Sequence, residues 1–239
     1  MNIDAMKKYF LIFALFLSFH FNYAQLSTVV GKTEYPFWIN IPEGDSLKQN
    51  APLLIFLHGK SLSGTNLEKV KRYGVIRAIE NGKKIPAIVV APQLPSGPWN
   101  PDLVLNVLEY VKSNYSIDSY RVYVCGMSLG SYGTLGFAGK YPEKVAGAVA
   151  ICGGGNVNDA CNLSTIPLWI QHGDKDFIVP LSESEKIVDA IKKCDANADL
   201  KFTIIPGGNH GNVENLFRQD ELYDWLLKQV KPDSSVHKL

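Results

Sequence analysis

Six short apolar runs punctuate the chain, at residues 53–57, 87–91, 121–125, 145–151, 168–170 and 202–205. They are rich in valine, isoleucine and leucine and do not alternate with polar positions, as expected of strands buried on both faces of a parallel sheet. Amphipathic stretches at 66–80, 101–115, 129–140, 182–194 and 214–230 lie between and after them and read as helices. This alternation predicts an α/β architecture, a mostly parallel central sheet flanked by helices. Residues 28–41 read as one or two leading antiparallel strands. About sixteen residues separate the run ending at Ile151 from the one starting at Leu168. That is too short for a cap domain, so a site at the sheet's edge is expected to be open.

The first 24 residues stand apart from this pattern. Lys7 and Lys8 precede an apolar run over 9–19, and the segment then reaches Asn22, Tyr23 and Ala24 before Gln25. A charged start, a short apolar stretch and a small residue at the cut have the order of a secretory signal. The run is too short for a bilayer core, which needs roughly 20 apolar residues, so no stable membrane anchor is expected. The reading is a signal peptide over 1–24, one domain over 25–239, and export to the periplasm or outside the cell.

Composition narrows the partners. Hydrophobic residues make up 46% and charged residues 20% of 239, with a net charge of +1, which excludes a disordered tail, a fibre and a strongly basic nucleic-acid binder. Removing 1–24 takes away Lys7, Lys8 and Asp4 and leaves 22 charges of each sign. Charge therefore steers the domain to no partner.

Export lets the four cysteines pair. Cys161 falls shortly before the run at 168–170, and Cys194 ends the helix that returns to the same side of the sheet. A Cys161–Cys194 disulfide is therefore expected, with Cys152–Cys161 as a local alternative and Cys125 as a buried thiol. No Cys-x-x-Cys pair or His/Cys cluster occurs in the sequence, and neither a metal nor a cofactor is expected.

The chemistry starts at Gly126-Met127-Ser128-Leu129-Gly130, a G-x-S-x-G between a strand and a helix. A serine at this sharp turn is held above the sheet at a helix N-terminus, where it can serve as a nucleophile. It then needs a base and a carboxylate to orient that base. His237 lies in a polar tail, and His58 and His172 each close a strand before a glycine, positions suited to shaping turns. His210, in the loop 206–211, is the expected base. Asp176 is the chosen carboxylate, with Asp174, directly after Gly173, as the alternative. Oxyanion donors are expected from the N–H of Leu129 and from Lys60, with Ser61 one residue on as its substitute. Trp99 could wall an acyl or aromatic pocket or belong to the core. Lys83 and Lys84 read as a solvated pair.

Leu57-His58-Gly59, the G-x-S-x-G, His172-Gly173-Asp174-Lys175-Asp176 with Val179-Pro180, and Gly208-Asn209-His210-Gly211 together resemble the motif series of the α/β-hydrolase superfamily over roughly residues 50–230. Within it the chain is most similar to lidless esterases of the phospholipase/carboxylesterase and feruloyl-esterase type, although it has Ser131 where those relatives often carry a second glycine. The resemblance implies Ser128 as nucleophile, His210 as base and Asp176 as its orienter, in a serine hydrolase of carboxylic esters. Its expected substrate is a small-molecule or carbohydrate ester. The same triad serves peptidases of the prolyl-oligopeptidase kind, which usually carry a gating domain for which this chain has no room. The fold can also serve a non-catalytic binding module.

Overall fold

The computed structural model describes residues 25–42, 44 and 50–232; the expected signal peptide lies outside them. Eight strands form one sheet: β1 (Gln25–Val29), β2 (Phe37–Ile41), β3 (Ala51–Leu57), β4 (Ile88–Pro92), β5 (Ile117–Met127), β6 (Gly147–Ile151), β7 (Leu168–Gly173) and β8 (Leu200–Ile205). Their spatial order is β1-β2-β4-β3-β5-β6-β7-β8. β1 and β2 form the leading antiparallel pair, β2 also runs antiparallel to β4, and the remaining pairs are parallel.

The apolar runs lack a polar face because both faces of the sheet are covered. On β5, Val122 and Val124 enter one core layer while Tyr123 and Cys125 enter the other, following the two-residue period of a strand. The first layer is closed by α2 (Pro101–Asn114), α3 (Leu129–Lys140), α4 (Ala160–Leu163) and α5 (Ser182–Cys194). The second is closed by α1 (Gly74–Glu80) and α6 (Asp220–Leu227). Cys161 and Cys194 form a disulfide that ties α4 to the end of α5, while Cys125 and Cys152 are buried free thiols.

Four local expectations need correction. The helix expected over 66–80 is a 3₁₀ segment, Leu67–Arg72, followed by α1, because Tyr73 is fully extended between them. The helix expected over 214–230 is likewise split at Gln219, whose extended backbone separates a 3₁₀ segment from α6. β8 is not buried on both faces; it pairs only with β7 and is half exposed along its length. Lys83 is not a solvated surface charge: its side chain is 15% exposed, donates to the carbonyl of Arg218 and pairs with Asp220.

Candidate active site

Because β3, β5, β7 and β8 run parallel, they deliver their following loops to one edge of the sheet. That edge lies where the chain, after adding β4 on one side of β3, crosses over to β5 on the other. Such a reversal leaves a crevice in open α/β sheets.

Between β5 and α3 the chain turns through Ser128 at φ 58°, ψ −123°. A serine is strained in this region, and the surrounding packing holds it there. The Ser128 N–H donates to the Ile151 carbonyl at the end of β6, and the Ser128 carbonyl accepts from Ser131 and Tyr132 in the first turn of α3. The flanking glycines are a steric requirement. A Cβ on Gly130 would lie 1.8 Å from the Leu57 carbonyl oxygen, and one on Gly126 would lie 2.3 Å from the Gly130 oxygen. The turn is this tight because β3, β5 and α3 meet beneath the serine.

The loops after β7 and β8 are locked together in the same way. A Cβ on Gly173 would lie 2.2 Å from the Gly208 oxygen, and Lys175 N–H donates to that same oxygen. This contact sets the His210 loop over Asp176. His210 Nδ1 donates to Asp176 Oδ2 at 2.7 Å, while Asp176 Oδ1 accepts from the N–H groups of Ile178 and Val179, each at 2.9 Å. Burial alone would raise the Asp176 carboxyl, but the bonds from His210, Val179 and Ile178 outweigh it and hold its pKa below the ordinary carboxylate value. Asp174 does a different job: its carboxylate accepts from Gly207 N–H at 2.7 Å and anchors the histidine loop.

Ser128 and His210 line one cavity of about 430 Å³, together with Lys60, Ser61, Arg72, Tyr73 and Ile178. Lys60 opens a 3₁₀ turn after β3 and Leu129 opens α3. First-turn N–H groups have no partner within their own helix, so both positions can face an incoming oxygen. Tyr73 was not foreseen. Its hydroxyl accepts from Gly59 N–H at 2.9 Å and braces the front loop. A tyrosine between two helical segments gives no sequence signal for this role, which the topology alone creates.

Trp99 is not a pocket wall. It is 6% exposed, packs on Gly133 of α3 and edge-on to Tyr35 and His58, and donates from its indole nitrogen to the His58 carbonyl. The apolar side chains that reach the surface beside the site are Phe177 and Ile178, 88% and 73% exposed.

His58 and His172 are both completely buried, and each is hydrogen-bonded to the loop that follows its strand, at the Gly59 and Val179 carbonyls. His58 Nε2 accepts from Leu94 N–H and Nδ1 donates to the Gly59 carbonyl, so the ring is neutral. Burial lowers its pKa to about 4, with the Gly59 bond a smaller opposing effect. The unfolded chain therefore takes up a proton that the folded protein refuses. Stability present above about pH 6.5 is lost as the pH falls toward 4, by about 3 kcal/mol. Denaturant titrations at pH 7 and pH 4.5 check this, and His58→Gln should show a smaller pH dependence than the wild type.

A sheet in which β2 alone runs antiparallel to both its neighbours, and in which the chain turns at a strained serine between β5 and α3, is the arrangement of the α/β-hydrolase fold, which this chain adopts. The sequence model of the phospholipase/carboxylesterase family matches residues 103–221, from within α2 to the start of α6. The chain is 27% identical over 199 residues to the bifunctional acetylxylan esterase/xylanase of Neocallimastix patriciarum, covering 78% of this chain and 28% of that one. It is 32% identical over 134 residues to poly(3-hydroxyalkanoate) depolymerase C of Paucimonas lemoignei, covering 48% and 30% of the two chains. The chain thus spans under a third of the length of these two relatives. A crystal structure of a thermostable esterase superposes with a TM-score of 0.70 at 25% identity, over 87% of this chain and 63% of that one.

Proposed function

We propose that this protein is an exported serine hydrolase that cleaves carboxylic esters through an acyl-enzyme. The observation that carries the reading is the Asp176–His210 hydrogen bond beside a strained Ser128 in one open cavity. Asp176 fixes Nδ1 of His210 as the protonated nitrogen and leaves Nε2 free to accept the Ser128 proton as Oγ attacks the ester carbonyl. The N–H groups of Leu129 and Lys60 receive the developing oxyanion. His210 then protonates the leaving alcohol, and water, activated by the same imidazole, releases the acid.

The substrate is a short-acyl or hydroxycinnamoyl ester, small or attached to an uncharged carbohydrate. Two of the relatives are named for polymer substrates, acetylxylan and poly(3-hydroxyalkanoate), and Phe177 and Ile178 offer an exposed apolar platform rather than a tunnel. A tunnel would reward chain length, at roughly 0.8 kcal/mol per buried methylene. A platform does not.

A fluorophosphonate probe should label Ser128 covalently, identified by peptide mapping. In a panel of acetyl, butyryl, feruloyl and palmitoyl esters, kcat/KM should be highest for acetyl or feruloyl. A steady climb to palmitoyl, or a prolyl amide as the best substrate, would count against this assignment.

A further inference from the structure

The Asp176 carboxylate faces two imidazoles. Behind the His210 contact, His172 Nε2 lies 3.5 Å from Asp176 Oδ2, with both side chains completely shielded from solvent. The contacts around His172 are to oxygens on both ring nitrogens. Nε2 lies 2.9 Å from the Val179 carbonyl oxygen, which can only accept, so Nε2 carries a proton. Nδ1 lies 2.7 Å from Ser184 Oγ. That hydroxyl also lies 2.6 Å from the Gly153 carbonyl oxygen, which can only accept; with its single proton placed there, its oxygen accepts and Nδ1 is the donor. His58 provides the contrast within the same molecule: one of its nitrogens accepts from a backbone N–H, and its ring is neutral.

We propose that His172 is an imidazolium in the folded protein, a buried cation that shares Asp176 with His210 and, by balancing that carboxylate, keeps His210 in the unprotonated form a base requires. The first half rests on hydrogen-bond accounting alone; the second rests on the catalytic reading above.

The neighbours on each packed element are consistent with a single compensating charge. From the end of β6, the Cys152 thiol faces the same carboxylate; burial, and to a lesser degree Asp176 itself, push it up to about 12, so it is a neutral donor. The ligand-type atoms of Cys152, His172 and Asp176 lie within 4.8 Å of one another, and each of the three side chains already has hydrogen-bond partners in the protein. From α5 the contact is the uncharged Ser184, while the adjacent Glu183 turns away to Tyr132 and Lys186. From the loop after β8, His210 reaches the site across Asp176, and its other side faces the cavity lined by the charged Lys60, Arg72, Glu214 and Arg218. An isolated buried cation would be prohibitive; the ionised Asp176 offsets it.

A carboxylate already balanced by one imidazolium attracts a second proton less strongly. Removing the cation should let His210 hold its proton to higher pH. His172 is thus a positioning residue acting through Asp176. The experiment is nitrogen NMR of protein carrying ¹⁵N-labelled histidine at pH 7, with the His172 signals identified by their loss in His172→Gln. Two one-bond N–H couplings on His172 are expected, against one on His58. A bare ring nitrogen on His172 overturns the proposal.

In parallel, the acid limb of kcat/KM should move to higher pH by about one unit in His172→Gln. Ser184→Ala, which removes the acceptor for Nδ1–H and lets the ring go neutral, should move it in the same direction. Should His172→Gln fail to fold, Ser184→Ala carries the test. An acid limb unmoved in the folded variants overturns the role in poising His210. Two N–H couplings in a protein that no fluorophosphonate labels would leave the imidazolium standing and remove the catalytic reading instead.

Discussion

Ser128→Ala should eliminate ester hydrolysis, lowering kcat by about 10⁴-fold or more, with circular dichroism and unfolding midpoint close to wild type. The size follows from the proposed role of Oγ as nucleophile: without it no acyl-enzyme would form, and only binding and oxyanion stabilisation would remain. The fold should survive because the strain at Ser128 is imposed by Gly126, Gly130 and the Ile151 carbonyl, none of which the substitution touches. His210→Ala should cost about as much, and the double variant little more than either, since groups that act as one unit are lost together. Steady-state kinetics on one activated acetyl ester measure all three. A double variant far worse than both singles would mean that the two residues act independently.

The second large effect separates two aspartates two residues apart. Asp176→Asn should lower kcat by roughly 10⁴-fold, because the amide can present its N–H₂ to His210 and favour the wrong tautomer. Asp174→Asn should cost less than about tenfold. Its carboxylate only anchors Gly207 N–H, and the loop it steadies is also held by the Lys175 to Gly208 and Asp174 to Ile205 backbone bonds. The same kinetic assay decides, and the opposite ordering would transfer the orienting role to Asp174.

The parts of this molecule that were legible in the sequence are those with a local cause. Continuous apolar runs bounded by turns marked the parallel strands, and glycines two residues either side of Ser128 marked the elbow, since both patterns report on backbone geometry within a few residues. Helix continuity was less legible. Nothing in residues 66–80 announces that Tyr73 must extend to brace Gly59, because the partner lies 14 positions away. Trp99 was ambiguous for a related reason: an aromatic in a loop can face solvent or core, and the small Gly133 face that receives it is visible only once α3 is docked. His58 and His172 occupy equivalent His-Gly positions, yet one ring accepts a backbone proton and the other meets two acceptors. That difference belongs to the strands and helices around them, and no reading of the motif alone could supply it.

β8 carries a burden out of proportion to its support. It is an edge strand, bonded to one neighbour and half open to water, yet the loop that follows it holds His210. Strands with one partner open more readily than central ones, and β5, which carries the serine elbow, lies between two. Ser128 therefore rides on a strand paired on both sides and His210 on one paired on a single side. Mild heat or denaturant should thus separate the two before the hydrophobic core gives way. On the proposed mechanism, activity should be lost with the opening of β8 rather than with the collapse of the core, which hydrogen exchange on β8 amides followed beside ester hydrolysis would check.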